Sequence, residues 1–537
     1  MTWLATTSML AHGWRRFLLL LVAGAVAGLS VAPFFLLPAL FLSLPVLVWA
    51  LDGAETIPGE RPRLFGPSFV IGFAFGLGYF LVAIHWVGAA FLVDGGWLLF
   101  AMPVAVLALA AVLALFWGLG TRLAFVLWSH SPLRILALAA GLSLAEYARG
   151  HLFSGFPFDL AGYALTANET MMQAAALIGV YGLTPVVLFM SATPALIWPA
   201  DERGWAQRLA PFFLALVVLV GQIGYGQWRL SETAPADVTG VKLRIVQPAV
   251  DQASKWLPGA RQFITDQLIS LSETKLTPDD PGLSGITHLI WPEAALPFYL
   301  DEEPGIFSRL ARILPDDTLL LTGAPRRETL GSDQTNAYNS IFAINGDGEI
   351  VSTYDKVHLV PIGEALPFKQ VFAALGLSQF VPGSDGWEPG QSRRLMSPAG
   401  TPAFQPLICY EIVFPGDLGP DIAQADFMLN LTNDAWFDHS IGPAQHFHHA
   451  QLRAVEEGIP LVRAANSGIS AVVDAYGRVR TMAREGEVAI LDSGLPGRID
   501  GTLYQFLRPW PFIFLTGLFA ALALLGRRRL RPGQSLE

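Results

Sequence analysis

Long apolar runs are the feature that most constrains how this chain can fold. A helix needs roughly 20 mostly apolar residues to cross the hydrocarbon core of a bilayer. Such stretches lie near residues 15–31, 34–51, 67–92, 97–120, 133–149, 172–199, 209–226 and 510–526. Seven of them precede a long polar block and one follows it. The sequence therefore predicts a multi-helix integral membrane bundle with about eight transmembrane helices.

The distribution of charged residues divides the chain into three parts. Only 15% of the 537 residues are charged, compared with roughly 25% in a soluble domain. We expect a membrane domain of seven helices over 1–226, a polar domain over 227–508, and a last helix with a basic cytoplasmic tail over 509–537. The net charge of −10 argues against a nucleic-acid partner, because phosphate binding needs a basic face.

The basic residues between the apolar runs predict the orientation in the membrane. Short cytoplasmic loops of membrane proteins carry an excess of Lys and Arg. If the N-terminus is inside, the cytoplasmic side collects Arg15, Arg16, Arg61, Arg63, Arg122, Arg134, Arg203, Arg208, Arg527, Arg528, Arg529 and Arg531. The short loops on the other side hold only Arg149. The polar block is therefore expected outside the cytoplasm, which for a bacterial inner-membrane protein means the periplasm.

The polar block has the pattern of an α/β domain, with short apolar, β-rich runs between turns and amphipathic stretches. Strands are predicted at 243–246, 288–291, 318–322, 341–345, 406–410 and 427–431. Turn residues at 344–350 and near 475–477 predict two hairpins, and 442–457 predicts a helix.

Three segments of this block place a reactive side chain at or just after a predicted strand. The side chains are those of Glu293, Lys356 and Cys409. Strand ends of α/β domains bring distant residues to one cleft. A thiol is mostly protonated at neutral pH, so it needs a base, here Glu293, or a positive neighbour, here Lys356. Taken singly, a buried thiol, a surface carboxylate and a solvated ammonium are simpler interpretations, but their joint occurrence favours a nucleophilic site.

Four ordered motifs carry a resemblance to a known family. They are Trp291-Pro292-Glu293, the stretch YDKVHLVPIGE at 354–364, Ile408-Cys409-Tyr410-Glu411, and the stretch NDAWF at 433–437. These motifs resemble those of the nitrilase (carbon-nitrogen hydrolase) superfamily and, within it, the apolipoprotein N-acyltransferase family. The resemblance covers nearly the whole chain. It implies a nitrilase-like αββα sandwich domain carried by eight membrane helices.

The resemblance also implies an activity without a cofactor. Cys409 would take a fatty acyl group from a membrane phospholipid as a thioester and pass it to the N-terminal α-amino group of a diacylglyceryl-cysteine apolipoprotein. This is the final step of bacterial lipoprotein maturation. Glu293 would be the general base, and Lys356 would support the tetrahedral intermediate.

Five further residues acquire implied roles. Glu364 would hold the lysine, and Tyr410 and Glu411 follow the nucleophile as the family pattern has them. Trp256 and Trp436 match tryptophans that the family places near the acyl-binding cleft. Packing in the core is the alternative for both tryptophans.

Alternatives stay open at this point. A membrane-tethered amidohydrolase would use the same three residues with water as the acceptor, and a transporter or scaffold would carry an inactive domain. His446, His448 and His449 suggest a metal, but zinc-type spacing and Cys partners are missing, so we expect no metal.

The region 146–158 also allows two interpretations. Glu146 and Arg149 lie one turn apart and predict either a lipid-headgroup site or an ion pair. Phe153, Phe156 and Phe158 are either interfacial anchors or guides for acyl chains.

Overall fold

Two units make up the chain in the computed structural model, which describes residues 1–54, 64–96, 98–200, 203–257, 259–330, 334–361, 363–364 and 386–529. The first unit contains Met1–Phe91, Gly95–Glu232 and the segment that starts at Leu503. The second contains Leu92–Asp94 and Thr233–Thr502. Of the arginines that predicted the orientation, Arg61, Arg63 and Arg531 lie outside the described residues.

In the first unit, the regular elements of the described residues are all helices. The helices are Thr2–Leu10, Gly13–Gly28, Leu37–Asp52, Pro67–Ala83, Ala90–Asp94, Leu98–Val126, Arg134–His151, Glu169–Met172, Ala175–Ala192, Trp205–Leu230, Leu503–Leu507 and Trp510–Arg529. Glycines allow close helix contacts, since a Cβ at Gly72 would lie 1.9 Å from the Thr121 hydroxyl oxygen.

Among the described residues, four helices are long and apolar enough to cross a membrane. They are Leu99–Val126, Ala175–Leu196, Trp205–Leu230 and Trp510–Arg527. Pro67–Ala83 and His85–Val93, bent by 54°, make a fifth if they form one span. The predicted count of about eight is therefore not confirmed. Gly13–Gly28 and Leu37–Asp52 have only 16 residues each, and Arg134–His151 carries Arg134, Glu146 and Arg149.

Glu146 and Arg149 form an ion pair inside the first unit. Arg149 Nη2 lies 2.9 Å from Glu146 Oε2, and neither side chain is exposed. Arg149 Nη1 also donates to the carbonyl oxygens of Phe156 and Phe158, and Trp117 Nε1 donates to Glu146. The pair therefore ties the loop after the helix to the helix itself, which supports the ion-pair interpretation over the headgroup site.

The three phenylalanines of that loop do not act as one group. Phe153 is 86% exposed, whereas Phe158 is 4% exposed. The Phe158 ring packs 5.4 Å from the ring of Trp86. The hypothesis that all three rings contact the bilayer is therefore wrong for Phe158, because this ring is part of the core.

The second unit contains two β-sheets. The strands are β1 Lys242–Gln247, β2 His288–Ile290, β3 Leu319–Leu330, β4 Gln334–Ile344, β5 Ile350–Asp355, β6 Phe404–Ile408, β7 Phe427–Thr432, β8 Leu461–Ala465, β9 Ser470–Val473, β10 Val479–Ala483 and β11 Ala489–Gly494. One sheet has the order β11-β1-β2-β3-β4-β5 and the other has the order β10-β9-β8-β7-β6. The longer helices of this unit are Ala260–Glu273, Gly305–Ile313 and Gly442–Glu457.

The two sheets pack face to face and carry helices outside. Ile290 and Leu321 of one sheet share a core cluster with Leu429 of the other. The neighbouring residues of these strands point the opposite way, as the two-residue period of a strand requires. Leu289 and Leu320 thus pack against the helices Ala260–Glu273 and Gly305–Ile313. This arrangement agrees with the α/β domain predicted from the sequence pattern and with the αββα sandwich that the family resemblance implied.

Candidate active site

Glu293, Lys356 and Cys409 each follow the end of a strand, namely β2, β5 and β6. The first two strands belong to one sheet and the third to the other, so the sandwich brings their ends together. Lys356 Nζ lies 3.7 Å from Glu293 Oε1. The charges of both groups act on the Cys409 thiol. Glu293 and Lys356 are buried, whereas Cys409 is partly exposed.

Glu364 and Asn339 hold the lysine and the glutamate in place. Lys356 Nζ lies 2.7 Å from Glu364 Oε2. Asn339 Nδ2 donates to Glu293 Oε1 at 2.7 Å and to Glu364 Oε1 at 3.2 Å. The main-chain N–H of Lys356 donates to the carbonyl of Asn339, which extends the β4–β5 pairing. Asn339 was missed at the sequence level, because a single Asn within a strand carries no local pattern.

Burial and charge act in opposite directions at these groups. Burial raises the pKa of Glu293, while the Lys356 ammonium opposes that shift. Burial works against a charged Lys356, but Glu364 and Glu293 outweigh it and raise the pKa of Lys356. Burial and the Glu293 charge raise the pKa of Cys409, although Lys356 opposes them. The resting site therefore holds a protonated lysine beside a protonated thiol.

Glu411 ties the cysteine segment to the lysine segment. Its buried carboxylate accepts hydrogen bonds from the main-chain N–H groups of Ile408, Val357 and His358, at 2.8 to 3.0 Å. The Tyr354 hydroxyl donates to both of its oxygens. Glu411 thus binds the end of β6 to the end of β5, which fixes the distance between the thiol and the ammonium.

The backbone at Cys409 adopts a conformation that L residues rarely use. Its φ is 49°, in the left-handed region. The strand predicted over 406–410 accordingly ends at Ile408, and the turn Cys409–Val413 follows. Tyr410 is buried in this turn with its ring 5.0 Å from that of Phe414. Such backbone outliers are concentrated at functional sites.

A second buried network lies behind the cysteine. His446 contacts the Cys409 carbonyl oxygen through Nε2 at 3.1 Å and Asp434 through Nδ1 at 2.8 Å. Arg463 Nη2 lies 2.8 Å from the Asp434 carboxylate, and Thr432 donates to it. The Arg463 charge lowers the pKa of Asp434 although burial raises it. The sequence analysis did not predict this network of His446, Asp434, Arg463 and Thr432.

This network also bears on the predicted histidine cluster. Within the described part of the chain, the donor set with metal-compatible spacing is Cys409, Asp434 and His446, whose ligand atoms lie within 4.8 Å of one another. His448 and His449 are not part of it. Arg463 already neutralises the Asp434 carboxylate, so the donor set offers a divalent cation little net negative charge.

Trp256 and Trp436 lie in different surroundings. Trp256 is half-buried, follows the short helix Gln252–Lys255 and lines a cavity of about 200 Å³. Its neighbour Lys255 is buried, and its Nζ lies 3.5 Å from the carbonyl oxygen of Glu293. Trp436 is half-buried in the turn Asp434–Phe437. Lys255 was also missed, since nothing local distinguishes it from a solvated lysine.

Comparisons with known proteins identify the family. Residues 23–193 match the model of the apolipoprotein N-acyltransferase N-terminal domain, and residues 284–496 match that of carbon-nitrogen hydrolases. The apolipoprotein N-acyltransferase of Rhodopseudomonas palustris is 40% identical over 98% of both chains. That of Brucella suis is 41% identical over 98% of this chain and 99% of its own.

A solved structure is similar over part of the chain. An amidase from Nesterenkonia sp. is 21% identical and covers 51% of this chain and 95% of its own length, with a TM-score of 0.33. The full-length relatives at about 40% identity are the stronger finding. This chain belongs to the apolipoprotein N-acyltransferase family.

Proposed function

We propose that this enzyme transfers a fatty acyl group from a membrane phospholipid, through a thioester on Cys409, to the α-amino group of a diacylglyceryl-cysteine apolipoprotein. One observation carries the assignment of residues. Cys409, a residue that is only partly buried, follows β6 where Glu411 joins the ends of β5 and β6, and the charges of the buried Glu293 and Lys356 act on its thiol.

The first step is formation of the thioester. Glu293 accepts the thiol proton, and the sulfur attacks the carbonyl carbon of a phospholipid ester. The negative charge that develops on the carbonyl oxygen is stabilised by the Lys356 ammonium. The ester C–O bond then breaks, and Glu293 returns the proton to the leaving oxygen. The products are acylated Cys409 and a neutral lysophospholipid hydroxyl.

The second step uses the same groups with an amine as the nucleophile. The uncharged α-amino group attacks the thioester carbonyl and loses a proton to Glu293. The C–S bond breaks and an amide forms. Glu293 then protonates the departing sulfur, which restores the starting enzyme. Lys356 stabilises the oxyanion in both steps, and Glu364 keeps the lysine charged and oriented.

The remaining predicted residues support these steps. We assign Glu411 to positioning, because it bonds both the cysteine and the lysine segments. Tyr410 is buried in the same turn, Cys409–Val413. We assign Trp256 and Trp436 to substrate binding.

The membrane has a direct part in this chemistry. Both substrates are anchored in the bilayer, and moving an acyl chain into water costs about 0.8 kcal/mol per CH₂ group. We propose eight transmembrane helices in the bacterial inner membrane, seven within 1–226 and one within 509–537, with the domain at 227–508 in the periplasm. Membrane-impermeant amine reagents should label that domain from the periplasmic side only, and cytoplasmic labelling would overturn the orientation.

Membership of the acyltransferase family favours this function over a tethered amidohydrolase. The test is a reconstituted reaction with phospholipid vesicles and a synthetic diacylated lipopeptide. We expect N-acylated peptide and lysophospholipid from the native enzyme and neither from Cys409→Ala. Release of free fatty acid in place of N-acylated peptide would show that water is the acceptor and would support the amidohydrolase.

A further inference from the structure

A cavity beside the proposed base has the chemistry of an anion site. It encloses about 200 Å³ and is lined by residues that include Lys255, Trp256, Arg261, Phe298, Tyr299 and Trp387. Among the described residues that line it, two are cationic and none is acidic. Arg261 reaches Glu303 only at 3.5 Å, with both side chains about half exposed, so that pairing offsets little of its charge.

Lys255 lacks the partner that a buried ammonium requires. Its side chain is 1% exposed. Its Nζ reaches the Glu293 carbonyl oxygen at 3.5 Å, the outer limit of a hydrogen bond. Within the described part of the chain it forms no ion pair with a carboxylate, whereas buried charges in proteins are normally paired. Burial accordingly lowers the pKa of Lys255 to about 8, although Glu293 opposes that shift.

Trp256 also lines this cavity and carries a second polar donor. Its indole Nε1 is shielded from solvent and has no hydrogen-bond acceptor among the residues that the structure describes. An ammonium and an indole N–H on consecutive residues can both donate to one oxyanion. The aromatic rings of Phe298, Tyr299 and Trp387 complete the wall with apolar surface.

We propose that this cavity binds the phosphodiester of the donor phospholipid, with Lys255 and Trp256 as the donors. The inference rests on the proposed function and adds the site that recognises the donor. Charge selects the donor over the acceptor. The donor carries an anionic phosphate a few bonds from its ester, whereas the reacting group of the acceptor is an uncharged amine that offers these two donors no anion.

The position of Lys255 gives this binding a consequence for the reaction. Because Lys255 contacts the main chain of Glu293, a phosphate held there places the scissile ester near the proposed base. Binding energy from the headgroup would thereby be used to orient the reacting carbonyl.

The test compares two acyl donors in the full-length enzyme. One donor is phosphatidylglycerol in neutral detergent micelles, and the other is a p-nitrophenyl ester, which has no phosphate. Lys255→Met should reduce acylation of Cys409 by phosphatidylglycerol about 10- to 100-fold, mainly through KM. Acylation by the p-nitrophenyl ester should change less than about twofold. Lys275→Met, which removes an exposed lysine of the same domain, is the matched control.

Two further arms separate the remaining explanations. Trp256→Phe removes the indole N–H but keeps a ring, so it should weaken phosphatidylglycerol use about 3- to 10-fold and weaken use of the p-nitrophenyl ester clearly less. Inorganic phosphate should compete only weakly, since it lacks the apolar part of the lipid. Complete protection by inorganic phosphate at low concentration would identify a free-phosphate site and overturn the assignment to lipid.

Other outcomes also overturn the proposal. Equal loss with both donors in Lys255→Met would show that Lys255 acts through Glu293, and no loss with either donor would leave the cavity without a role in donor binding. Failure of the native enzyme to be acylated by any phospholipid would instead refute the proposed function. The native enzyme thus tests the proposed function, and the Lys255→Met variant tests the phosphate site.

Discussion

Two buried charge clusters, one in each unit, show opposite designs. In the helical unit, every guanidinium nitrogen of Arg149 donates to Glu146 or to a loop carbonyl. In the sheet unit, Lys356 is held by Glu364 and Glu293, and its charge also acts on a partly exposed thiol. All of these contacts of the first cluster are with residues of its own unit, whereas the charge of the second cluster acts on the sulfur of Cys409.

This contrast explains why similar sequence patterns have different roles. For each cluster, the sequence analysis identified an acidic and a basic residue at positions that suggested a function. Arg149 is saturated by internal acceptors, so it can only hold the structure together. In the proposed mechanism, Lys356 retains a charge directed at the place where the substrate oxygen becomes negative. The acceptors that surround a buried cation, rather than its burial, thus separate a structural role from a catalytic one.

The largest expected effect is a loss of acylation when Glu293 or Lys356, in the cluster of the sheet unit, is replaced. Glu293→Gln removes the base and Lys356→Met removes the oxyanion donor, so each should slow acyl-enzyme formation by about 10²- to 10⁴-fold. The measurement is the single-turnover rate of acylation by phospholipid. Glu303→Gln is the control for losing an exposed carboxylate. A normal rate in either variant would reassign its role.

Replacing Arg149, in the cluster of the helical unit, should instead destabilise the fold. Arg149→Met leaves the buried carboxylate of Glu146 without its cation, which costs about 3 to 5 kcal/mol. Chemical denaturation in detergent should show this loss, and the double variant Glu146→Gln with Arg149→Met should recover part of it. An Arg149→Met enzyme with full stability but no acyl transfer would contradict the structural role.

A smaller loss of activity is expected when Glu411, which joins the cysteine segment to the lysine segment, is changed. Glu411→Gln keeps the shape but removes the charge that accepts hydrogen bonds from Ile408, Val357 and His358. Because hydrogen bonds to charged groups contribute about 1.5 to 3 kcal/mol, we expect a 10- to 100-fold slower acylation. Glu328→Gln, at an exposed carboxylate, should leave the rate unchanged.

The smallest effect concerns the ionisation of the thiol. Glu293 raises the pKa of Cys409 and Lys356 lowers it. Glu293→Gln should therefore move the pH midpoint of alkylation by iodoacetamide downward, and Lys356→Met should move it upward, each by about one unit. The thiol of Glu293→Gln would thus ionise more easily while the enzyme is slower. Shifts of the opposite sign would show that the two charges do not act on the sulfur as described.

Much of the sheet unit was predictable because many of its strands are short apolar runs bounded by turns. The predicted strands, both hairpins and the helix Gly442–Glu457 all overlap observed elements. The strand Leu461–Ala465 escaped notice because Arg463 interrupts its apolar run. Arg463 is tolerated there because it pairs with Asp434, a contact between distant sequence positions.

The proposed site residues divide in the same way. Glu293, Lys356 and Cys409 stand at strand ends and within ordered motifs, so local sequence was sufficient to nominate them. Asn339 and Lys255 depend on strand pairing and on burial, which only the tertiary structure determines. The number of membrane spans was hard to predict for a related reason, since short or charged helices need neighbours to be stable in a bilayer.

The central claim is that Cys409 carries the acyl group. Its most direct test is mass spectrometry of the purified enzyme after exposure to phospholipid, without an acceptor. We expect one added acyl mass on the peptide that contains Cys409, removable by neutral hydroxylamine and absent from Cys409→Ala. An acyl group on any other residue, or product formation with an unmodified Cys409 in every trapped sample, would contradict the account.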